Sequence, residues 1–221
     1  MNLVPVACVE NDFDTKFGLP RQSGLNDALI SRVVLEKDFA REDFIRGITE
    51  FSHLWLIWGF DVKPSMNATV RPPRLGGNER RGVFATRSPF RPNPVGLTVV
   101  KLLSVSTENG IVLTVSGADM KSGTVIYDIK PYIPYADCVE GASGSFAEEH
   151  KGDRLNVVFP EELKKLIPKS KLPALTEALS EDPRPAYQDD ESRVYGFSYA
   201  GKDVRFTVKG DTLTVIEIKD I

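Results

Sequence analysis

The sequence contains few of the residues that hold metal ions or form disulfide bonds. Its 221 residues include two cysteines, Cys8 and Cys138, and two histidines, His53 and His150. Neither pair has the spacing of a zinc site, and no Cys/His pair suits nucleophilic catalysis. We therefore expect reduced thiols, as in a protein of a reducing compartment, and no metal centre.

Long apolar runs are missing as well. The longest, residues 54–60, is far shorter than the roughly 20 residues with which a helix crosses a bilayer. No apolar run follows a basic N-terminal stretch, as it would in a secretory signal. The expectation is a cytoplasmic protein without a membrane partner.

Three common catalytic and nucleotide-binding motifs are also absent. The sequence has no glycine-rich dinucleotide fingerprint, no phosphate-binding Gly-Lys-Ser/Thr loop and no Gly-x-Ser-x-Gly nucleophile elbow. If the protein binds a nucleoside-containing cofactor, that cofactor is therefore not held in a Rossmann crevice.

Net charge does not indicate nucleic-acid binding, but the position of the charges does. The chain carries 31 acidic and 28 basic residues, for a net charge of −3. Residues 71–91 contain one acid, Glu79, and no lysine. Their arginines are Arg71, Arg74, Arg80, Arg81, Arg87 and Arg91. Such a basic segment in an acidic chain predicts an anionic partner such as RNA.

Proline and glycine frame this arginine segment. Two adjacent prolines, two adjacent glycines and a Pro-x-x-Pro-x-Pro run break it into stiff loops. Arginine presents a planar fork of donors to phosphates or carboxylates, whereas lysine presents a point charge. Phe84 and Phe90 are both candidates for stacking on bases, although a core position is the favoured expectation for Phe84. The alternative interpretation is a solvated basic loop that pairs with acids elsewhere in the fold.

Alternating and apolar segments predict a mostly β N-terminal part. The predicted strands are residues 3–9, 32–36, 53–60, 82–86, 97–106, 110–116 and 124–129. Residues 53–60 are apolar on both faces, as in a strand buried on both sides, which a closed barrel or a sheet covered by another layer would explain. Asn109-Gly110 predicts a hairpin turn, and residues 41–48 have helical spacing.

Composition changes near residue 152. Helices are predicted at residues 161–166 and 171–179, followed by an antiparallel meander of strands at 193–199, 203–208 and 212–218. The expected fold is mostly β, with an N-terminal β-barrel domain over residues 1–150 and a small α+β C-terminal domain over residues 151–221.

Two further segments offer polar groups for a site. Asp128, Lys130 and Tyr132 alternate along a strand and share one face, which brings an acid, a base and a phenol together. An internal ion pair is the alternative. The loop 119–123 joins two strands, and its backbone amides are expected to be available to a ligand. A simple turn is the alternative there.

With these segments in place, the chain resembles the TsaA-like family, whose bacterial members are S-adenosylmethionine-dependent tRNA methyltransferases. The resemblance rests on motifs spread in order over nearly the whole chain. They are PRQSG (20–24), FSHLW (51–55), TVRPPRLGGNERRGVFATRSPFRPNPVGL (69–97), SGTVIYDIKPYIPYAD (122–137) and DPRPAY (182–187).

The resemblance implies a cofactor-binding β-barrel, a smaller C-terminal domain and a homodimer. It implies methyl transfer from S-adenosylmethionine to the exocyclic nitrogen of N-threonylcarbamoyladenosine, next to the anticodon, so the expected partner is the anticodon stem-loop of a tRNA. The cofactor is expected against Gln22, Ser23, Gly24, Asp61, Val62, Arg87, Leu97, Met120, Lys121, Ser122 and Gly123.

The resemblance also places Arg91, Asn93 and Asp128 at the reacting end. Our hypothesis is that Asp128 or Tyr132 accepts the proton of the target nitrogen, while Lys130 orients the carbonyl oxygen or the aspartate. Arg91 or Arg87 would hold the threonyl carboxylate through two hydrogen bonds.

Two positions depart from the family pattern. Ser122 stands where bacterial members carry aspartate, and Asp61-Val62 where His-Gln or Asp-Gln is common. They keep two alternatives open: a non-catalytic RNA-binding or regulatory module on the same barrel, and a methyltransferase of acidic small molecules.

Overall fold

The computed structural model describes residues 2–19, 26–72, 79–145, 154–184 and 190–221. Four residues named above as site candidates, Gln22, Ser23, Gly24 and Arg74, lie outside these ranges. Residues 185–187 of the DPRPAY motif lie outside them as well.

Six strands form a closed antiparallel barrel in the order β1-β2-β7-β6-β3-β8. Their bounds are β1 Ala7–Glu10, β2 Ile30–Leu35, β3 His53–Gly59, β6 Val95–Ser106, β7 Val112–Ser116 and β8 Val125–Pro131. Two short strands, β4 Thr69–Val70 and β5 Arg81–Gly82, pair with each other beside the barrel. The predicted barrel is therefore confirmed.

Strand β3 shows how the barrel core is built. Leu54, Leu56 and Trp58 point inward and are buried, whereas His53, Trp55 and Ile57 point outward and are half-buried. The prediction of a strand buried on both sides was wrong, because the closed barrel covers only its inner face and no second layer covers the outer one completely.

The predicted hairpin turn is confirmed, whereas one predicted strand is a turn instead. Gly110 adopts φ +95°, and the strands on either side of it pair antiparallel, as the Asn-Gly signal predicts. The predicted strand at 82–86 is instead a 3₁₀ turn, Val83–Ala85. The carbonyl oxygen of Val83 accepts bonds from the amide and the hydroxyl of Thr86, at 3.2 and 2.9 Å, which closes the chain into a turn.

The described residues of the C-terminal part form a four-stranded sheet with two helices. The strands β9 Asn156–Val158, β10 Tyr195–Tyr199, β11 Lys202–Lys209 and β12 Thr212–Asp220 lie in the order β10-β11-β12-β9. The helices are Glu161–Lys164 and Leu172–Ser180, and the barrel part adds Glu42–Ile45 and Pro134–Asp137. Across the described ranges, no helix combines the length and hydropathy needed to span a membrane.

Candidate active site

A cavity of about 470 Å³ opens at the end of the barrel where β3 ends and β8 begins. This volume lies within the range of sites that hold small molecules. Its lining comes from four segments: Lys16 and Leu19 before β2, Trp58–Asp61 at the end of β3, Asp119–Lys121 after β7, and Gly123–Val125 with Tyr127 at the start of β8. Four of the residues predicted to bind the cofactor, Asp61, Met120, Lys121 and Gly123, are among them.

Tyr127 reaches this cavity because β8 carries a bulge. Trp58 pairs with Ile126 and Ile57 with Asp128, so Tyr127 is one extra residue between two successive pairs. A bulge of this kind re-aims a side chain. The ring of Tyr127 lies over Gly59, where a Cβ atom would come within 2.8 Å of Cε2 of the tyrosine.

Trp58 forms the inner wall of the cavity. Gly96 leaves room for it, since a Cβ at residue 96 would lie 2.2 Å from Cε2 of the indole. The indole Nε1 donates to Thr98 Oγ1 at 2.8 Å, and Thr98 Oγ1 donates to Asp119 Oδ1 at 2.7 Å. The centroid of the Phe60 ring is 4.2 Å from that of Trp58. The rings of Trp58 and Phe60 and the hydrogen-bonded carboxylate of Asp119 therefore lie on the same wall of the cavity.

Charges of both signs lie at the mouth of the cavity. Lys121 Nζ is 3.4 Å from Asp61 Oδ2, and Lys16 Nζ donates to the carbonyl oxygen of Asp61 at 3.3 Å. The Asp61 carboxylate remains 80% exposed. A mouth with two ammonium groups and two carboxylates, counting Asp119, suits a ligand that is itself a zwitterion.

The loop 119–123 meets the cavity with side chains more than with amides. The amide of Ser122 donates to the carbonyl oxygen of Phe13, and that of Gly123 to the carbonyl oxygen of Val9, both at 2.8 Å. The prediction that the amides of this loop are available to a ligand was therefore wrong for these two. They are used to tie the loop to β1 and to the segment after it.

Four predicted cofactor residues do not line the cavity. Val62 and Ser122 adjoin lining residues in the chain, and Arg87 is exposed on the arginine segment. Leu97 lies on the outer wall of the barrel, where it pairs with Ile57 and is 57% exposed.

Asp128 and Lys130 lie on the same outer wall, because they pair with Ile57 and Trp55, which both point outward. Their side chains form an ion pair of 2.8 Å, the structural role that was the alternative interpretation. Asp128 does not line the cavity, but it follows the lining residue Tyr127 in the chain.

Tyr132 extends this wall beyond β8, with its ring 5.7 Å from that of Trp55. The pKa of its phenol is raised above the usual value by desolvation first and then by nearby Cys138 and Asp137. A tyrosine phenol is protonated at neutral pH even at its usual pKa, and the shift is in the same direction, so Asp128 is the better candidate for a proton acceptor.

Arg91 braces the 3₁₀ turn at Val83–Ala85. Its Nη2 donates to the carbonyl oxygens of Val83 and Thr86, at 3.1 and 3.2 Å. The turn presents Phe84 to solvent with 84% of its surface exposed, so the prediction of a core position for Phe84 was wrong. Phe90 is 55% exposed, as expected for a stacking residue.

The loop that directly follows the arginine segment contacts a residue of the cavity. The amide of Phe60, which lines the cavity, donates to the carbonyl oxygen of Pro94 at 2.9 Å. Asn93 is exposed immediately before this contact. Elsewhere in the segment, Arg80 Nη1 donates to Thr69 Oγ1 at 2.9 Å and Arg81 pairs with Glu79 at 2.7 Å.

Comparison with known proteins identifies the family of the chain. The family model for the N-terminal domain of tRNA-methyltransferase O matches residues 8–138, and the model for the TrmO C-terminal domain matches residues 153–221. The chain belongs to the TrmO family. The family expected from the sequence motifs is therefore confirmed.

Three relatives show how far the likeness of this chain to known proteins extends. The tRNA (adenine(37)-N6)-methyltransferase of Escherichia coli K12 is 39% identical over 88% of this chain and 86% of its own. An S-adenosyl-L-methionine-binding protein of Archaeoglobus fulgidus is 37% identical over 65% of this chain and 98% of its own. The crystal structure of TrmO from Pseudomonas aeruginosa superposes with a TM-score of 0.78, at 27% identity over 99% and 98% of the two chains.

Sequence reasoning did not identify several lining residues of this TrmO cavity. Trp58 looked like a core residue within an apolar run, and Tyr127 looked like one more position of an alternating strand. Lys16 stands in a polar loop without a pattern of its own. The one usable signal was Gly59 and Gly96, which interrupt strands where a side chain approaches the backbone closely.

Proposed function

We propose that this protein transfers a methyl group from S-adenosylmethionine to the exocyclic nitrogen of adenosine 37 in tRNA. The observation that carries the proposal is the contact between Phe60 and Pro94. It joins a small-molecule cavity to an exposed arginine segment, so that a methyl donor and an RNA can lie side by side. The activity named for the Escherichia coli relative supports the same reaction.

The side chains that line the cavity suit S-adenosylmethionine. Trp58, Phe60 and Tyr127 offer ring faces to an adenine and to a positively charged sulfonium. Lys16 or Lys121 can bind the methionine carboxylate, and Asp61 or Asp119 the ammonium and ribose hydroxyl groups. When bound, S-adenosylmethionine supplies an electrophilic methyl group, and the protein supplies its position.

We further propose N-threonylcarbamoyladenosine as the form of adenosine 37 that is methylated. Its target nitrogen carries a proton that must leave, and Asp128, next to Tyr127, is the proposed acceptor. Lys130 Nζ, 2.8 Å from Asp128 Oδ2, is proposed to orient that carboxylate. Arg87 is the proposed partner of the threonyl carboxylate. Arg91 is the weaker candidate, because its Nη2 already donates to two backbone carbonyl oxygens.

The proposed RNA surface consists of Phe84, Phe90 and the described arginines of residues 71–91. Proteins read single-stranded RNA loops by stacking bases on aromatic rings while basic groups hold phosphates. Phe84 is suited to stacking because the turn that Arg91 braces holds it in solvent. Arg71, Arg80, Arg81 and Arg87 add positive charge to the same segment of the chain.

We also propose a cytoplasmic location, a homodimer and a division of the chain into domains at residues 1–150 and 151–221. A tRNA substrate supports the first of these. The core of the C-terminal sheet includes Phe13 and Leu29, so the two parts share the segment between β1 and β2.

The reaction is tested by giving the protein labelled S-adenosylmethionine and tRNA from two strains. One strain makes threonylcarbamoyladenosine and the other does not. We expect label only in the first tRNA. Equal label in both would remove the modified base as the substrate, and label in neither, with RNA binding intact, would support a non-catalytic module. Label only in an acidic small molecule would favour the third interpretation.

A further inference from the structure

One wall of the cavity comes from the segment between β1 and β2. Lys16 and Leu19 line the cavity from this side. Two hydrogen bonds tie the start of the segment to the loop 119–123: Asn11 Nδ2 donates to the carbonyl oxygen of Met120, and the amide of Ser122 donates to that of Phe13, both at 2.8 Å. The segment thus has one side on the cavity.

Its other side lies in the core of the C-terminal sheet. Phe13 is completely buried, with its ring 4.8 Å from that of Tyr199 and 6.2 Å from that of Phe197. The ring of Phe17 contacts Phe197 edge-on at 6.2 Å. These aromatic contacts join a wall of the cavity to β10.

Gly18 fits closely against the same phenylalanine. It adopts φ +89°, and a Cβ atom there would lie 2.6 Å from Cδ2 of Phe197. The backbone is tied down as well, since the amide of Ala200 donates to the carbonyl oxygen of Asp12 at 2.9 Å. The Asp12 carboxylate forms an ion pair with Lys171, whose own carbonyl oxygen accepts from the Tyr199 hydroxyl at 2.9 Å.

We propose that the C-terminal sheet sets the affinity of the cavity for its ligand by holding residues 11–19 in place, with Phe197 as the positioning residue. Ordering a loop at the moment of binding costs free energy for each residue fixed. A loop that the sheet has already ordered does not incur that cost, so the ligand binds more tightly. The identity of the ligand rests on the function proposed above.

The first test compares Phe197→Leu with Phe206→Leu in the full-length protein. Phe206 is a fully buried ring of the same core, 6.1 Å from Phe197, and serves as the matched control. Calorimetry measures the Kd of S-adenosylmethionine, and thermal unfolding measures Tm. We expect both variants to have a lower Tm, and only Phe197→Leu to raise Kd, about tenfold, which corresponds to about 1.4 kcal/mol. The KM for S-adenosylmethionine should rise likewise, with kcat at saturating cofactor retained.

The second test leaves every core side chain unchanged and alters only a glycine. Gly18→Ala places a methyl group against Phe197, whereas Gly110→Ala imposes a comparable positive φ, +95°, where nothing lies within 4 Å. We expect a raised Kd for Gly18→Ala alone, even if Phe197→Leu fails to fold. Unchanged Kd at both positions, or equal increases in the variants and their controls, would overturn the inference while leaving the proposed function intact. A wild-type protein that does not bind S-adenosylmethionine would overturn both.

Discussion

The ring of Tyr127 occupies the space that a side chain on Gly59 would need. A Cβ at residue 59 would approach Cε2 and Oη of the tyrosine to 2.8 and 2.9 Å. Both residues line the cavity, and the bulge in β8 brings the ring there.

Gly59→Ala should therefore weaken S-adenosylmethionine binding without unfolding the barrel. The added methyl group is closer to the ring than real Cβ contacts allow, so Tyr127 must move and alter the cavity wall. We expect Kd to rise about tenfold, or about 1.4 kcal/mol, by calorimetry. Gly82→Ala, where nothing lies within 4 Å, is the control. An unchanged Kd for Gly59→Ala would exclude Tyr127 from the binding site.

The barrel was predictable from the sequence because period-two alternation and the Asn109-Gly110 turn are local signals. The family resemblance also indicated Asp61 and residues 120–123, most of which line the cavity. Tyr127 was not predictable, because a bulge depends on the register between two strands and leaves no mark on one of them. Phe84 was misplaced for a similar reason: the guanidinium that holds its turn comes from residue 91.

Arg91→Lys should weaken tRNA binding more than cofactor binding. A lysine cannot reproduce the guanidinium bonds to the carbonyl oxygens of Val83 and Thr86, so the turn that exposes Phe84 should loosen. We expect a fivefold to tenfold higher tRNA Kd, roughly 1 to 1.4 kcal/mol, measured by fluorescence anisotropy. A large fall in kcat with tRNA affinity unchanged would instead indicate that Arg91 clamps the substrate carboxylate.

Phe84→Ala should reduce tRNA affinity by about 1 to 3 kcal/mol, the range found when a stacked aromatic side chain is removed. Phe84→Trp should retain the affinity because it keeps a ring face. The dependence of Kd on salt should be the same in all three proteins, since no charge has changed. Tyr135→Ala removes another aromatic side chain, 91% exposed, and should have no effect. If Phe84→Ala changed the oligomeric state and left tRNA affinity intact, Phe84 would belong to a subunit contact.

Asp128→Asn should lower the chemical step by about 10²-fold to 10⁴-fold, the usual contribution of a general base, while the Kd of S-adenosylmethionine stays the same. Single-turnover methylation under saturating cofactor measures the step directly. Lys130→Met serves as a comparison, because it removes the ion pair but leaves the carboxylate, and its effect should be smaller. Equal losses in turnover and cofactor binding would assign Asp128 a structural role.

The buried phenol of Tyr199 should make the stability of the protein fall as the solution becomes alkaline. Burial first, and the charge of Asp12 second, raise the pKa of its phenol above the usual value of about 10. Above that pH the unfolded chain loses this proton while the folded chain keeps it, so the free energy of unfolding falls as pH rises. Below about pH 10 the full contribution of the Tyr199 phenol to the free energy of unfolding is present. The fall attributable to Tyr199 is about 1.4 kcal/mol per pH unit.

The Tyr199→Phe variant should be less stable than the wild type at pH 8 and more stable than it at pH 11. At pH 8 the variant should be less stable by about 1 kcal/mol, because the hydrogen bond to the carbonyl oxygen of Lys171 is lost. Above pH 10 its free energy of unfolding should decline less steeply than that of the wild type, as urea denaturation at pH 8 and pH 11 would measure. Tyr135→Phe, at an exposed position, should follow the wild type. If all three proteins declined in parallel, the alkaline loss would come from other groups, and the buried phenol would stabilise the C-terminal core only through its hydrogen bond.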